Sequence, residues 1–452
     1  MRDYSWAGID GRKWIALPCR VAWISLWLVL VAGGRFAHAG ENSVEAQIAA
    51  HRTAARAALE GKDYAAYREH VLALKSLLHD QAELSYSLAA AEALLGHPGK
   101  AFELLEQYAS TGLSHNPASD ARFASLNSSP RFAGIQARLQ ANDSEVSRSQ
   151  VVVTLPDPDI LAEDIAYDPD SRRFFISSVH KRRIFAAGPD GSVRAFGGED
   201  GRVWGVFALA VDRRRHRLWA TTAAVPEAED ISAAEKGRTA LLCYDLRTEA
   251  LVRRLDLPED GSPHALGDMT VGPKGEVYVS DGIGGLVYRV LEGSSTFEAI
   301  STAGSFRSPQ TPALAPDGRR LFVADYSLGI GVIDLRDKAL EWLPHSPDVA
   351  AEGTDGLYLW HGSLIAIQNG FSRPRIIAIH LDSRLSQARS FTVLERRSQW
   401  LGDPTHGVVV GSSFYFIGNS GWNRMDQDGH LRSGGKEDHP VILRMRLERV
   451  WK

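Results

Sequence analysis

After Ser144 the sequence repeats one pattern six times, and this repeat constrains the fold more than any other feature. Each copy is a short run rich in Val, Ile, Phe, Tyr and Trp, then a polar turn, then a second apolar run that ends near Asp, Ser or Asn. The copies begin at Asp164, Ala208, Asp268, Thr311, Gly356 and Gly407. Their starts are 44, 60, 43, 45 and 51 residues apart. A period of this length made of strands alone predicts a six-bladed β-propeller over residues 150–452.

Two departures from the repeat have simple interpretations. The interval of 60 residues contains an insertion at Pro226–Arg238, which we expect on a loop. The run Val151–Leu155 precedes the first copy and lacks a partner in it. We expect it to pair with the last blade and close the ring, because closure removes the exposed edges of an open sheet.

Residues 40–145 have a different character and predict a small all-α domain. Between Ser43 and Leu139, Ala, Leu, Glu, Lys and Arg dominate, and apolar residues recur at helical spacing. Breaks at Gly61–Asp63 and Gly96–Gly99 predict helices in antiparallel pairs. The run Lys100–Leu105 resembles the second helix of a tetratricopeptide repeat. Such helices bind a protein partner or an extended peptide, or simply pack on the next domain; the sequence leaves both open.

The first 39 residues have the pattern of a signal peptide. The apolar window of residues 21–34 follows Arg12, Lys13 and Arg20 and precedes Ala37–Ala39, which predicts cleavage before Gly40. The mature protein is then expected to be periplasmic or secreted, without a membrane segment. The alternative is an uncleaved membrane anchor, for which the apolar window is short.

Cysteine content and charge exclude two further classes. The chain contains two Cys, and Cys19 lies in the predicted signal peptide, so a disulfide scaffold is excluded. The formal net charge of −4 provides no broad basic surface, and we expect no nucleic-acid partner.

The repeat also locates a candidate site, because equivalent residues of the six copies converge at one mouth of the channel. The residues immediately before the copies are Glu163, Phe207, Gly267, Gln310, Asp355 and His406. We include the first residue of each copy in this ring. Its side-chain oxygen donors are then Glu163, Asp164, Asp268, Gln310 and Asp355. This set fits Ca²⁺, which takes six to eight oxygen ligands. Zn²⁺ is less expected, since His406 is the one imidazole of the ring, although His264 lies close by.

Each of these residues also has a structural interpretation. Carboxylates at strand starts often cap turns or bond neighbouring backbone N–H groups, and a loop histidine often bonds backbone. Crowded carboxylates raise one another's pKa unless a cation or proton neutralises them. We expect Asp281, Asp325 and Asn419 to form turns. Three aromatic residues could either line an apolar pocket or belong to the blade core: Trp204, Phe207 and Trp422.

Several segments resemble the superfamily of gluconolactonase, senescence marker protein (regucalcin) and luciferin-regenerating enzyme. They are Glu163–Asp168, the surroundings of Asp268, Pro316–Tyr326 and Thr354–Leu357. The superfamily has six-bladed propellers with one divalent metal, commonly Ca²⁺, at the channel mouth. The resemblance therefore implies a metal that polarises a lactone or ester carbonyl for attack by water.

The same resemblance implies the metal ligands Glu163, Asp268, Gln310 and Asp355. Two positions depart from the family pattern, because Gly267 and Gln310 stand where the family has Asn. Asp355 is the base that the family implies, whereas His406 or His264 would suit neutral pH by its ordinary pKa.

The sequence thus predicts an exported, metal-dependent lactone or ester hydrolase with a small-molecule substrate. The motifs of nucleophile-elbow hydrolases, H-E-x-x-H zinc proteases and phosphate-binding loops are missing from the sequence, which disfavours those chemistries. The alternative is a non-catalytic propeller that, with the helices, binds proteins. Gly267, Phe207 and the helical segment favour that alternative.

Overall fold

The computed structural model describes residues 43–198, 203–426, 428–435 and 438–449. These residues fall into two compact units, 43–142 and 143–449. The predicted signal peptide, residues 1–39, lies outside the described residues. In the part of the chain that the structure describes, no helix is long and apolar enough to span a membrane.

The first unit is helical, as the sequence predicted. Its α-helices, within the described residues, are α1 (Val44–Glu60), α2 (Tyr64–Leu77), α3 (Ala82–Leu94), α4 (Pro98–Ser110) and α5 (Pro130–Asn142). Ser43 caps α1 by accepting from the N–H of Ala46 at 3.1 Å, and Asp63 caps α2 in the same way at 3.0 Å. Consecutive helices pack on one another. Along α3 the small side chains of residues 89–91 are fully buried, which allows the helices to approach closely.

The second unit is a six-bladed β-propeller, which confirms the predicted fold. Each of the six sheets in the described residues has four antiparallel strands. Blades 1–3 consist of β2–β5 (Ala162–Asp168, Arg173–Ser178, Arg183–Ala187, Val193–Phe196), β6–β9 (Gly205–Asp212, Arg217–Ala223, Thr239–Asp245, Leu251–Asp256) and β10–β13 (Leu266–Val271, Val277–Asp281, Leu286–Val290, Glu298–Ala299). The first strands of neighbouring blades contact one another and surround the channel.

The remaining blades complete the ring. Blades 4–6 consist of β14–β17 (Pro309–Leu314, Arg320–Asp325, Gly329–Asp334, Leu340–Trp342), β18–β21 (Thr354–Trp360, Ser363–Gln368, Arg375–Leu381, Ala388–Arg396) and β22–β24 with β1 (Gly407–Val410, Ser413–Asn419, Val441–Arg446, Ser149–Thr154). Strand β1 pairs with β24, Gln150 lying opposite Arg444. The earliest strand therefore closes the last blade, as the run Val151–Leu155 predicted.

The core of the propeller lies between blades, because each sheet is buried on both faces. Every junction has its own apolar cluster, such as Phe175 with Leu218 between blades 1 and 2, and Ile365 with Phe414 between blades 5 and 6. Trp204 belongs to the first of these clusters, so it is blade core. The insertion Pro226–Arg238 lies between β7 and β8 and consists of turns and coil, as predicted.

Candidate functional site

The inner strands lose regular pairing at the positions that the repeat singled out. In blades 1–5 the register shifts across two residues near the start of the inner strand. The residues inside these irregularities are Glu163–Asp164, Phe207–Ala208, Gly267–Asp268, Gln310–Thr311 and Asp355–Gly356. A bulge changes the direction in which side chains point and often lies beside a functional site. It can therefore direct these side chains away from the blade interfaces.

Hydroxyl side chains on the second strand satisfy the backbone at the bulges. Thr221 Oγ1 accepts from the N–H of Ala208 at 2.9 Å and donates to the carbonyl of Gly267 in the next blade at 2.6 Å. The equivalent hydroxyls of blades 1 and 3 accept from the N–H groups of Asp164 and Asp268 and belong to Ser177 and Ser280. These hydroxyls fix the irregular backbone, and Thr221 also joins two blades at the mouth.

A buried histidine lies at the centre of the ring. His406 Nε2 is 2.9 Å from Asp268 Oδ2 and 3.7 Å from Asp355 Oδ1. Its Nδ1 is 3.0 Å from the carbonyl oxygen of Glu163. These four residues are between 2% and 8% exposed. The structure therefore brings together side chains from blades 1, 3, 5 and 6.

The carbonyl of Glu163 determines the state of the His406 ring. A carbonyl oxygen accepts but cannot donate, so Nδ1 must carry its proton and donate to it. The lone pair or the second proton of the ring is then at Nε2, facing Asp268 and Asp355. Histidines that bind metals usually donate their other N–H to a carbonyl or carboxylate in this way.

Further side chains hold the two carboxylates. Asn369 Nδ2 donates to Asp355 Oδ2 at 2.6 Å, and its Oδ1 accepts from the hydroxyl of Tyr326 at 3.0 Å. Thr311 Oγ1 donates to Asp268 Oδ2 at 2.9 Å. The sequence analysis missed Asn369 and Thr311, although Thr311 begins a copy of the repeat and Asn369 ends one.

The other predicted ligands have different partners. Both carboxylate oxygens of Asp164 accept from backbone N–H groups, those of Ile165 and Leu209, each at 2.7 Å. The amide nitrogen of Gln310 donates to the hydroxyl of Ser308 at 2.9 Å and to its carbonyl at 3.3 Å. Asp164 therefore stabilises the backbone, and the amide nitrogen of Gln310 is bonded to the residue that precedes its own strand.

Glu163 lies beside the histidine with one oxygen engaged. The indole Nε1 of Trp422 donates to Glu163 Oε2. Within the described residues, the other carboxylate oxygen of Glu163 has no hydrogen-bond partner. Burial raises the pKa of Glu163 to about 8, His406 opposing the rise and Asp355 adding to it.

Burial and mutual repulsion raise the pKa values of the carboxyl groups at the mouth. Burial raises the pKa of Asp164 and of Asp355 to about 7 in each case, against the lowering effect of His406. Burial alone would lower the pKa of His406, but Asp268 and Asp355 raise it well above its ordinary value. Without a cation these two carboxylates therefore favour the protonated form of the imidazole.

His264 lies in a separate arrangement. Its Nδ1 is 2.5 Å from Asp281 and its Nε2 is 3.0 Å from Asp260. The hydrogen bond with Asp281 raises the pKa of His264 to about 9, so this ring too is protonated at neutral pH. Asp281 also accepts from the N–H groups of Ala265 and Gly284, which is the turn-forming role that the sequence predicted.

An apolar cover lies at the mouth. Phe207 packs with Val225 and Ala228 of the β7–β8 connection and against Trp422 and Met425, which follow β23. The two segments touch, since a Cβ on Gly429 would lie 2.9 Å from the carbonyl of Pro226. We define the apolar cover as Phe207, Val225, Ala228, Trp422 and Met425. Phe207 and Trp422 thus belong to the mouth rather than to an interface between blades.

Comparison with known proteins finds matches only among solved structures. No family model and no curated protein matches the chain. The PQQ-bound aldose sugar dehydrogenase of Streptomyces coelicolor is 15% identical, with 66% of this chain and 99% of that chain covered and a TM-score of 0.44. Virginiamycin B lyase of Staphylococcus aureus is 13% identical, with 66% and 99% covered and a TM-score of 0.44.

The luciferin-regenerating enzyme, a member of the superfamily that the sequence resembles, is also among the matches. It is 12% identical, with 67% of this chain and 95% of that chain covered and a TM-score of 0.47. All three proteins are named as enzymes. At these identities the likeness concerns the propeller fold alone, so function has to be argued from the chemistry of the mouth.

Proposed function

We propose that the protein is a divalent-cation-dependent hydrolase of lactones or esters that acts at the propeller mouth. The observation that carries the proposal is the buried group of His406, Asp268 and Asp355, with Glu163 beside it. One donor atom from each of the first three lies within 4.8 Å of the others. Two carboxylates and an imidazole nitrogen that converge in this way fit a divalent cation.

The assignment of residues differs from the sequence prediction. Asp268, Asp355 and His406 would hold the cation, and Asn369 and Thr311 would orient the two carboxylates. Glu163 moves from the ligand set to proton transfer, and Gln310 stays a predicted ligand through its amide oxygen, since only its amide nitrogen bonds Ser308. Ca²⁺ and export stay predictions from the sequence.

A bound cation supplies two effects, polarisation of a carbonyl oxygen and a lower pKa for water. Glu163 accepts the proton of the attacking water on its free carboxylate oxygen and returns it to the alkoxide that leaves. Its position beside the cation site, with one carboxylate oxygen free, suits both directions of transfer. The indole of Trp422 fixes the carboxylate, and the apolar cover excludes bulk water from it.

Hydrolysis by the full-length protein tests the proposal. Protein stripped with EDTA and then reconstituted with single divalent ions is assayed against a panel of lactones and aryl esters. Glu163→Gln should lower kcat by about 10²–10⁴-fold, the range of general acid–base catalysis, without weakening cation binding to the same degree. Asp355→Asn should remove both activity and binding.

The control is Asp260→Asn, which changes an exposed carboxylate bonded to His264 and should leave kcat unchanged. Full activity in the stripped protein, or in Glu163→Gln, would contradict the proposal.

A second candidate is a non-catalytic propeller in which the cation stabilises the ring and the helical unit binds a protein partner. The observation that favours it is burial, since His406 and Asp355 are each 2% exposed and the apolar cover lies at the mouth. A cation that raises Tm, together with no turnover of any compound in the panel, would select this candidate.

A further inference from the structure

We infer that the cation is zinc, held by His406 Nε2, Asp268 and Asp355, and not the Ca²⁺ that the sequence led us to expect. The inference depends on the cation site of the proposed function but does not require hydrolysis. It keeps His406 as a ligand, the role that the proposed function gives it in place of the base predicted from the sequence.

The first step is the direction of the imidazole. Because Nδ1 donates to the carbonyl of Glu163 at 3.0 Å, Nε2 is the atom that faces Asp268 and Asp355. Imidazole nitrogen is a good ligand for zinc and a poor one for Ca²⁺, which takes oxygen. A ring designed for Ca²⁺ would not place a nitrogen at its centre.

The second step is the supply of oxygen. Both oxygens of Asp164 already accept backbone N–H groups, and the amide nitrogen of Gln310 is tied to Ser308. Phe207 and Gly267 have no side-chain oxygen. The side-chain oxygens that stay available belong to Asp268, Asp355, Glu163 and the amide of Gln310, so Ca²⁺ would need water or backbone carbonyls to complete its six to eight ligands.

The third step is distance. In a tetrahedral zinc site with bonds of about 2.0–2.2 Å, donor atoms lie about 3.3–3.6 Å apart. The separations of His406 Nε2 from Asp268 Oδ2 and Asp355 Oδ1, 2.9 and 3.7 Å, bracket that value. Three protein ligands leave the fourth position open, as in catalytic zinc sites.

Glu163 adds a third carboxylate beside the cluster, and within the described residues one of its oxygens has no hydrogen-bond partner. Glu163 is 8% exposed, and its carboxylate interacts electrostatically with Asp355 and His406. Water on a zinc ion held by the three ligands could donate a hydrogen bond to this oxygen.

Metal binding to the stripped full-length protein tests the inference without any substrate. Isothermal titration at pH 7 with ZnCl₂ and with CaCl₂ should give a Kd for Zn²⁺ at least about 100-fold below that for Ca²⁺. Titration with Co²⁺ should produce the strong visible absorption of a four-coordinate ion. Tighter binding of Ca²⁺, or Co²⁺ that stays six-coordinate, would overturn the inference.

Two variants assign the nitrogen ligand. His406→Gln should weaken Zn²⁺ binding by about 10–100-fold or more and change Ca²⁺ binding little, because Gln keeps an oxygen donor. His264→Gln is the matched control, a buried histidine outside the cluster that bonds two carboxylates, and its Zn²⁺ affinity should equal that of the wild type. If His406→Gln does not fold, His406→Asn provides the same comparison, because Asn also replaces the nitrogen donor with an oxygen donor.

The two proposals fail in different ways. Tight Zn²⁺ binding that depends on His406, without hydrolysis, rejects the hydrolase and supports the zinc site. Hydrolysis supported by Ca²⁺, with His406→Gln fully active and Zn²⁺ bound weakly, rejects the zinc site alone.

Discussion

At the scale of single residues, the mouth depends on hydroxyl groups that carry no charge. The bulges remove backbone N–H groups from the regular ladder, and a buried N–H without an acceptor costs free energy. Ser177, Thr221 and Ser280 meet this need from the neighbouring strand. They therefore maintain the irregular backbone that positions the buried carboxylates of the mouth.

Thr221→Val tests this role, since it preserves shape and removes the hydroxyl. It leaves the N–H of Ala208 without its acceptor and the carbonyl of Gly267 without its donor. We expect the free energy of unfolding to fall by about 1–3 kcal/mol, measured by urea denaturation. Thr302→Val at an exposed position is the control and should stay within about 0.5 kcal/mol of the wild type. Equal stability of the two variants would contradict this account.

The sequence identified the residues of the site better than their roles. The repeat register placed Glu163, Asp268, Asp355 and His406 at one mouth because equivalent positions of a closed repeat must converge. It could not give the direction of the His406 ring, which is set by the carbonyl of a residue 243 positions away. Nor could it show that Asp164 uses both oxygens on backbone, since that depends on side-chain conformation.

At the scale of secondary-structure elements, the turn residues and strand lengths allowed the repeat to be recognised in the sequence. The bulges produce no recognisable sequence pattern. In a blade buried on both faces the strand residues are apolar on each side, so the sequence lacks the alternation that would reveal a shifted register. The closing strand was predictable because Val151–Leu155 lacked a partner. The side chain that holds this strand in place could not be predicted from the sequence.

Glu395 holds the closing strand. It is fully buried, and its Oε2 accepts from the backbone N–H groups of Arg148 and Ser149 at 2.8 and 3.1 Å. Oε1 accepts from the hydroxyl of Ser149 at 2.8 Å. A side chain at the end of β21 in blade 5 thus fixes the start of β1, the outer strand of blade 6.

Glu395→Ala should accordingly destabilise the propeller. It removes the acceptor of two backbone N–H groups, and we expect a loss of about 1–3 kcal/mol in thermal or urea unfolding. Hydrogen exchange should also show faster opening of β1 than of the inner strands. Glu341→Ala on the exposed face of β17 is the matched control; if both variants unfold alike, Glu395 does not hold the strand.

At the scale of the whole molecule, the ring assembles a site that no single blade contains. His406 comes from blade 6, Asp355 from blade 5, Asp268 from blade 3 and Glu163 from blade 1. Closing the ring brings these charges together and takes them out of water, which raises the pKa values of Glu163 and Asp355. Burying these charged carboxylates therefore lowers the stability of the fold, and bound protons or a cation can offset this loss.

This cost predicts how pH and cation together set stability. The folded-state pKa values, about 8 for Glu163 and about 7 for Asp164 and Asp355, all exceed the ordinary values of about 4 in the unfolded chain. Near neutral pH the folded protein binds more protons than the unfolded chain. The contribution of these groups to stability without cation should therefore be greatest below about pH 4–5. It should decline as pH rises through about 7–8.

The proposed divalent cation would replace those protons, so the increase in Tm on adding it should grow over the same interval. Scanning calorimetry of stripped and Zn²⁺-loaded protein at pH 5.5, 6.5 and 7.5 measures the difference directly. Asp355→Asn removes a proposed cation ligand and one carboxyl group whose pKa is raised. It should therefore abolish the cation effect and flatten the decline in stability without cation. A difference in Tm that stays constant or shrinks from pH 5.5 to 7.5 would show that protons and cation do not compete for these residues.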